Sequence, residues 1–303
     1  MPELGFDKRV AVVTGAGRGL GRAYALLLAA RGANVVVNDP GVSMTGETTD
    51  ACPAEEVVQE IKAAGGEAVA NFDSVASREG GQAIVNCALD HFGAVDIVIH
   101  NAGIVRRSPL KDISYEEFRS VLDVHLMGGF HVVRPAFAEM CKANYGRIVL
   151  TGSISGLYGN SEVVGYSVSK TGMIGLSNVV ALEGAEYNIK CNVILPAALT
   201  RMAEGLDTSA YPPMQPELVA PTVGWLAHES CSISGEMLVS IAGRVARAYI
   251  AESRGIYQPS WTIENIAEHI DAIRSTDDPV IFKPAPSGQL DHILYSFGMA
   301  SKD

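Results

Sequence analysis

Short apolar segments alternate with amphipathic segments along most of the chain. The apolar segments are continuous and rich in Val, Ile and Ala. They predict strands buried on both faces, at 9–14, 34–39, 67–72, 95–100, 147–151, 189–195 and 236–241. The segments between them carry the helical period, at 20–31, 53–64, 76–92, 114–143, 165–186 and 217–228. Strands that alternate with helices indicate an α/β fold with a doubly wound parallel sheet of the Rossmann type.

The regular pattern weakens after residue 196. Several prolines within 197–224 predict an irregular segment that lies over a site as a lid. Another amphipathic helix is predicted at 262–274, with Thr262 as its N-cap, and a tail with Pro and Gly follows. We therefore expect one catalytic domain at 1–245, which includes the lid, and a C-terminal extension at 246–303.

Composition and charge narrow the functional classes. Nearly half of the 303 residues are hydrophobic, and the net charge of −11 gives no basic field for nucleic acid or for an anionic membrane, so neither partner is expected. No segment resembles a signal peptide or a membrane span. The five cysteines are dispersed, which favours buried free thiols in a reducing compartment, and we predict a cytoplasmic protein. The histidines lack the spacing of metal ligands, so we assign no metal.

A glycine-rich turn separates the first predicted strand from the first predicted helix. Such a turn brings a pyrophosphate close to the backbone and to the free N–H groups at the start of the helix. An acid, Asp39, ends the second strand, where it is expected to bind both ribose hydroxyls of adenosine and to repel a 2′-phosphate. The pattern therefore predicts NAD as the cofactor. The residues of the turn expected to contact it are Gly15, Gly17, Arg18, Gly19, Leu20 and Gly21.

Two further strand ends carry residues that are expected to contact the cofactor. Asp73 follows the third strand, where its carboxylate and the neighbouring backbone at Ser74 are placed to bind adenine. Asn101, Ala102 and Gly103 end the fourth strand, where small residues let the backbone pass close to a ligand. Plain turns are the alternative interpretation of both segments.

A tyrosine and a lysine four residues apart lie at the start of the helix predicted at 165–186. In a helix, Tyr166 and Lys170 share one face, and a nearby ammonium lowers the pKa of a phenol. Ser153 follows the fifth strand, so all three residues are expected at the carboxyl edge of the sheet. We predict that Tyr166 transfers a proton, that Lys170 lowers its pKa and binds the nicotinamide ribose, and that Ser153 hydrogen-bonds the reacting oxygen. A solvated helix pair is the alternative, whereas a serine hydrolase is disfavoured because no G-x-S-x-G segment is present.

These motifs, in this order, resemble those of the short-chain dehydrogenase/reductase family. The resemblance rests on the Thr-Gly-x-x-x-Gly-x-Gly turn at 14–21, on Asn101-Ala-Gly103, on Ser153 and on Tyr166-x-x-x-Lys170, and it covers about residues 8–245. Further strings, such as that at 156–160, are similar to the family's 3-hydroxyacyl-CoA dehydrogenase branch. The resemblance implies an NAD-dependent oxidoreductase that interconverts a secondary alcohol and a ketone.

The resemblance also implies roles for four more positions and an oligomeric state. His125 stands where most of the family has an asparagine that helps a proton relay through the lysine, and the 3-hydroxyacyl-CoA branch is similar to this chain in having histidine. Pro196 and Ala197 stand where the family has Pro-Gly beside the nicotinamide, and Thr200 matches the position that holds its carboxamide. A homodimer or homotetramer is expected.

Three interpretations of the substrate and function remain open from the sequence. A 3-hydroxyacyl-CoA is favoured, with Arg106, Arg107 and Lys111 placed to meet the phosphates of CoA, although a solvated basic face explains them equally. A steroid or other bulky lipid alcohol is the competitor, because residues of the predicted lid offer an apolar surface. A non-catalytic NAD-binding scaffold or sensor is the third. The apolar lid residues are Met202, Leu206, Tyr211, Pro212 and Met214.

Overall fold

The protein is built around one eight-stranded sheet. The computed structural model of the chain describes residues 3–42, 52–200 and 211–300. The strands are β1 (Val10–Thr14), β2 (Asn34–Asn38), β3 (Glu67–Asn71), β4 (Ile97–His100), β5 (Gly146–Thr151), β6 (Ile189–Ala197), β7 (Met237–Ile241) and β8 (Arg244–Ala248). Their order is β3-β2-β1-β4-β5-β6-β7-β8, and every neighbouring pair is parallel except β7 and β8. The predicted doubly wound α/β sheet is therefore confirmed.

Helices cover both faces of this sheet. They are α1 (Gly19–Ala30), α2 (Pro53–Ala63), α3 (Arg78–Phe92), α4 (Tyr115–Leu122), α5 (Gly128–Ala143), α6 (Ile154–Tyr158), α7 (Val164–Glu183), α8 (Ala220–Ala227), α9 (Ile263–Ile273) and α10 (Leu290–Ala300). A π-helical turn, Asp123–Met127, joins α4 to α5, and 3-10 turns lie at Ala185–Tyr187 and Pro216–Leu218. Among the described residues, no helix has the length and apolar character needed to cross a membrane.

Two apolar cores lie on opposite faces of the sheet. Successive residues of β1 alternate between them: Ala11 and Val13 belong to one core with residues of α1, α2 and α8, whereas Val10 and Val12 belong to the other with residues of α3, α5 and α7. This burial on both faces explains why the strands read as continuous apolar runs. The chain reverses its order between β1 and β4, which opens a crevice at their carboxyl ends.

Several local predictions differ from the structure. Pro196 and Ala197 lie within β6 rather than after it, and the 217–228 segment begins as a 3-10 turn before α8. The predicted helix at 262–274 is present as α9 with Thr262 as its N-cap, whereas α6, β8 and α10 were not predicted. The prediction of buried thiols is wrong for three of the five cysteines. Cys52 is exposed, and Cys87 and Cys141 are half-buried.

Candidate active site

The glycine-rich turn joins β1 to α1 and lies between two strand ends. Gly15 and Gly19 have φ values of 62° and 54°, which side chains other than glycine rarely adopt. A Cβ atom on Gly17 would lie 2.8 Å from the Oδ2 atom of Asp39, and one on Gly19 would lie 3.1 Å from the Cγ2 atom of Thr200. The turn therefore passes close to both the predicted adenosine end and the predicted nicotinamide end of the cofactor site.

The start of α1 has the features that a pyrophosphate requires. The helix begins at Gly19, and no side chain among the described residues caps it; the first N–H groups of a helix are a binding site for an anion. A Cβ atom on Gly21 would lie 2.2 Å from the carbonyl oxygen of Gly15, so only glycine allows this close packing of turn and helix. Arg18 occupies the N-cap position, and both Arg18 and Leu20 are half-buried beside the turn. This cradle fits a dinucleotide.

Asp39 shapes the turn as well as the predicted ribose site. Its Oδ2 atom accepts the N–H of Gly17 at 3.1 Å, and its Oδ1 atom accepts the N–H of Gly41 at 2.9 Å. The carboxylate is 9% exposed. Its negative charge consequently lies in a polar pocket formed by backbone N–H groups, at the end of β2.

Asp73 is held by a network of amide side chains that sequence reasoning missed. Asn38 donates to the Oδ1 atom of Asn71 at 2.8 Å and to the carbonyl oxygen of Asp73 at 2.9 Å. Asn71 in turn donates to the Oδ2 atom of Asp73 at 2.7 Å. Asp73 and Ser74 are exposed, so the network fixes a surface carboxylate that would otherwise move freely.

The segment after β4 is tied to the end of β1. The Asn101 side chain donates to the carbonyl oxygens of Thr14 at 3.2 Å and Gly15 at 3.1 Å. A Cβ atom on Gly15 would lie 2.8 Å from the Cα atom of Ala102, and one on Gly103 would lie 2.2 Å from the ring of His125. Small residues are therefore required on both sides of this contact, which explains the glycines of the two motifs.

Ser153 and Tyr166 come together at the carboxyl end of β5. Ser153 is the N-cap of α6, and its hydroxyl accepts the N–H of Ser155 at 3.1 Å. The phenol of Tyr166, which lies in the first turn of α7, is close enough for the Ser153 hydroxyl to act on its pKa. Burial raises the pKa of Tyr166, and the interaction with Ser153 only partly opposes this shift.

Lys170 lies one turn along α7 and is 4% exposed. Its Nζ atom donates to the carbonyl oxygen of Thr151 at 2.7 Å and lies 5.4 Å from the centre of the Tyr166 ring. Burial lowers the pKa of Lys170 to about 7. The predicted fall in the pKa of Tyr166 is not found, because desolvation by burial outweighs the interaction that lowers this pKa.

His125 lies in the π-helical turn between α4 and α5. Such turns insert one extra residue into a helix and are frequent at functional sites. The imidazole is 1% exposed, and its Nε2 atom lies 2.7 Å from the carbonyl oxygen of Ile104. Its ring meets that of Tyr166 edge to face, with centroids 5.3 Å apart. Burial, followed by the charge of Lys170, lowers the pKa of His125, so it is neutral at physiological pH.

The remaining predicted residues that the structure describes belong to the segments that follow β4 and β6. The N–H of Leu199 donates to the carbonyl oxygen of Met214 at 2.7 Å, which ties the segment after β6 to the segment before α8. Tyr211 and Pro212 are exposed, whereas Met202 and Leu206 lie outside the described residues. The basic side chains predicted to meet CoA occupy the loop between β4 and α4. Arg106 is half-buried there, whereas Arg107 and Lys111 are exposed.

One buried residue at the centre of this arrangement was not predicted. His100 ends β4, directly before Asn101, and is 2% exposed. Its Nδ1 atom lies 3.1 Å from the hydroxyl of Thr14, and its Nε2 atom lies 3.0 Å from the carbonyl oxygen of His125. A polar residue at the last position of an otherwise apolar strand is the signal that could have identified it.

The family model of the short chain dehydrogenases matches residues 9–209. The chain therefore belongs to this family of oxidoreductases. Among its relatives, the peroxisomal multifunctional enzyme type 2 of Drosophila melanogaster is 47% identical over 85% of this chain and 43% of that protein. The peroxisomal hydratase-dehydrogenase-epimerase of Saccharomyces cerevisiae is 44% identical over 84% of this chain and 28% of that protein. The chain thus spans less than half of the length of either relative.

A solved structure extends the similarity to the whole fold. The full-length peroxisomal multifunctional enzyme type 2 from Drosophila melanogaster superposes with a TM-score of 0.81 at 37% identity. The match covers 99% of this chain and 50% of that structure. The similarity therefore includes residues beyond the sheet, up to the C-terminal segment with α9 and α10.

Proposed function

We propose that this protein is an NAD-dependent dehydrogenase that interconverts a 3-hydroxyacyl-CoA and the corresponding 3-ketoacyl-CoA. The observation that carries the proposal is the grouping of Ser153, Tyr166 and the buried Lys170, whose Nζ atom lies 5.4 Å from the centre of the Tyr166 ring, at the edge of the sheet where the glycine-rich turn lies. Three groups suited to moving a proton at an alcohol oxygen thus stand beside a cradle suited to a dinucleotide.

The site residues divide the proton chemistry between them. When bound, NAD would supply the acceptor for the hydride that leaves the carbinol carbon in the oxidation. Tyr166, as its phenolate, takes the proton of the substrate hydroxyl and becomes the neutral phenol, and Ser153 hydrogen-bonds the oxygen on which negative charge develops. In the reduction, the neutral phenol donates its proton to the carbonyl oxygen. Its raised pKa favours the protonated form from which this step begins.

Asp39 supports the choice of NAD over NADP. The carboxylate ends β2 beside the glycine-rich turn and is held there by two backbone N–H groups. A 2′-phosphate on the adenosine ribose would bring its negative charge close to this carboxylate, whereas two hydroxyls can donate to it. The glycine-rich turn, Asp39, Asp73 with Ser74 and the segment 101–103 would hold the dinucleotide, and Pro196, Ala197 and Thr200 would lie at its nicotinamide end.

The proposed substrate class is supported by the relatives and by charge. One relative carries hydratase, dehydrogenase and epimerase in its name, a set that suits stepwise conversion of a 3-hydroxyacyl chain. Arg107 and Lys111 are exposed in the loop after β4. This loop contacts the segment before α7 through a bond from the Ser108 N–H to the carbonyl oxygen of Glu162, at 2.8 Å. Cations placed there can meet the phosphates of CoA.

The test is NADH production by the purified protein across a panel of 3-hydroxyacyl-CoA esters and hydroxysteroids. We expect turnover of the CoA esters with NAD, and a much lower kcat/KM for the steroids and for the same acyl chains without CoA. Preferential turnover of a steroid would transfer the proposal to the lipid alcohols. No turnover of any compound, with NADH still bound, would favour a non-catalytic scaffold or sensor.

The homodimer or homotetramer and the cytoplasmic location remain predictions. Two relatives carry peroxisomal in their names, so a peroxisomal location is the alternative for this chain. Sedimentation analysis and fractionation of cells would decide these two questions separately from the activity.

A further inference from the structure

The last residues of β1 and β4 pair at the point where the strand order reverses. Thr14 and His100 are partners in the register of this parallel pair. Both side chains are buried, with exposures of 0% and 2%. Both ring nitrogens of His100 have protein partners, and these partners determine which nitrogen carries the proton.

The hydrogen bonds of Thr14 assign that proton. The hydroxyl oxygen accepts the N–H groups of Asn101 and Ala102, each at 3.1 Å. Both of its lone pairs are then used, and its own hydrogen points to the Nδ1 atom of His100 at 3.1 Å. Nδ1 is therefore an acceptor without a proton. The proton lies on Nε2, which donates to the carbonyl oxygen of His125 at 3.0 Å.

The electrostatic surroundings favour this neutral form. Burial, and then the charge of Lys170, lowers the pKa of His100 to about 4, while the bond to the His125 carbonyl opposes the shift. A second proton would also remove the acceptor that the Thr14 hydroxyl requires. Each group in this series therefore donates to the next: the backbone N–H groups at 101–102 to Thr14, Thr14 to His100, and His100 to the π-helical turn.

We propose that His100 is a positioning residue, which holds the π-helical turn carrying His125 in a fixed relation to the cofactor turn. The proposal rests on the proposed function, since it matters for catalysis through Tyr166, whose ring packs edge to face on His125. The Nδ1 atom bonds Thr14 and so affects the cofactor turn, whereas the Nε2 atom bonds the His125 carbonyl and so affects the catalytic residues. Loss of one bond should therefore change cofactor binding, and loss of the other should change catalysis.

Two amide variants test the two halves. The amide of His100→Asn reaches the position of Nδ1 and keeps an acceptor for Thr14, but it lacks the donor to His125. The amide of His100→Gln reaches the position of Nε2 and keeps that donor. We expect His100→Asn to lower kcat about tenfold or more, with the Kd of NADH within about threefold of wild type, because small misplacements of catalytic groups are costly. For His100→Gln we expect the reverse: near-normal kcat at saturating NADH and weaker NADH binding.

Parallel changes would overturn the proposal. If both variants lower kcat, NADH affinity and thermal stability to the same extent, His100 is only a packing residue. The same conclusion follows if either variant behaves as wild type in both kcat and Kd. His100→Phe, which keeps an aromatic ring and loses both bonds, should combine the two defects.

A spectroscopic measurement is independent of activity. In protein labelled with ¹⁵N-histidine, the resonances assigned through the His100→Asn spectrum should show a proton on Nε2 alone from pH 5 to 9. A proton on Nδ1, or titration near the ordinary histidine pKa, would overturn the proposal. The ring resonances of His125 should shift in His100→Asn and not in His100→Gln. If no substrate is turned over, the proposed function fails, whereas these spectra and the Kd values still decide the role of His100.

Discussion

Two buried cations lie at opposite ends of β5, and their surroundings differ. At the start of the strand, Arg147 is 2% exposed and donates to four carbonyl oxygens at 2.8–3.2 Å. Its guanidinium also stacks on Tyr145, 4.6 Å from the ring centre. At the end of the strand, Lys170 donates to the carbonyl oxygen of Thr151, and the described part of the chain supplies no second acceptor for it.

The difference separates a structural cation from a functional one. Hydrogen bonds to several acceptors compensate the desolvation of Arg147, so its charge stabilises the fold at that edge. The charge of Lys170 is poorly compensated, and burial therefore lowers its pKa to about 7. A buried group that is not fully satisfied costs stability and is retained where it takes part in binding or chemistry. The buried cation at the carboxyl edge of the sheet thus lowers the stability of the fold, whereas the one at the amino edge raises it.

The largest effect is expected from Tyr166→Phe, which removes the proton donor and keeps the ring that packs on His125. We expect kcat to fall by a factor of about 10²–10⁴, as is usual when a general acid or base is lost, with NADH binding retained. Tyr145→Phe is the matched control at the other end of β5 and should keep kcat within about twofold. Steady-state kinetics with NADH titrations would check both. Full activity of Tyr166→Phe would refute the proposed mechanism.

Arg147→Met should have the largest effect on stability. It removes one donor from each of four carbonyl oxygens, of which that of His228 still accepts the N–H of Cys231. Each buried acceptor that is left unsatisfied costs on the order of 1–3 kcal/mol. We expect the free energy of unfolding to fall by about 4 kcal/mol, measured by urea denaturation with an unchanged m-value. Arg31→Met removes a more exposed ion pair with Glu3 and should cost less than about 1 kcal/mol. Equal losses in the two variants would contradict the distinction drawn between the two edges.

Lys170→Met tests the pH dependence that the buried lysine imposes. The folded pKa of about 7 lies below the unfolded value of 10.5, so the unfolded chain binds more protons between these two pH values. Stability of the protein without added cofactor should therefore rise with pH from 7 upward, with Lys170 contributing at most about 1.4 kcal/mol per pH unit.

The comparison of variants isolates this contribution. From pH 7 to 8.5, Lys170→Met should lack this rise and should be more stable than wild type at pH 7, as measured by urea denaturation. Lys142→Met, at an exposed position, serves as the control and should follow the wild-type curve. Parallel curves for wild type and Lys170→Met would show that the lysine is better compensated than its contacts indicate.

The smallest effect is expected from Asp39→Ala, which concerns the cofactor end of the carboxyl edge. Removal of the carboxylate should lower the preference for NAD over NADP about tenfold, because the repulsion of a 2′-phosphate is lost. Asp73→Ala should weaken both cofactors equally, since its predicted contact is to adenine. The ratio of kcat/KM values for the two cofactors gives the result. An unchanged ratio in Asp39→Ala would show that another group sets the preference.

Local patterns in the sequence determined the architecture of this protein. Continuous apolar runs predicted seven of the eight strands, because burial on both faces requires them. Other local signals are the glycine-rich turn, Asp39 and the spacing of Tyr166 and Lys170. The order of strands and helices along the chain put the first two at strand ends, and the helical period put the tyrosine and the lysine on one helix face. The strand β8 was missed because its hairpin turns through Ala242 and Gly243, both at positive φ, and alanine gives no signal for such a turn.

Only the tertiary structure decided which polar groups are satisfied. The bond between Thr14 and His100 joins residues 86 positions apart, and the amide network around Asp73 spans two strands. The π-helical turn and the pKa directions of Tyr166, Lys170 and His125 likewise depend on burial by distant segments. Hydrophobic period is a local property of the chain, whereas desolvation and hydrogen-bond partners are set by what the fold brings together, and these set the protonation states at the site.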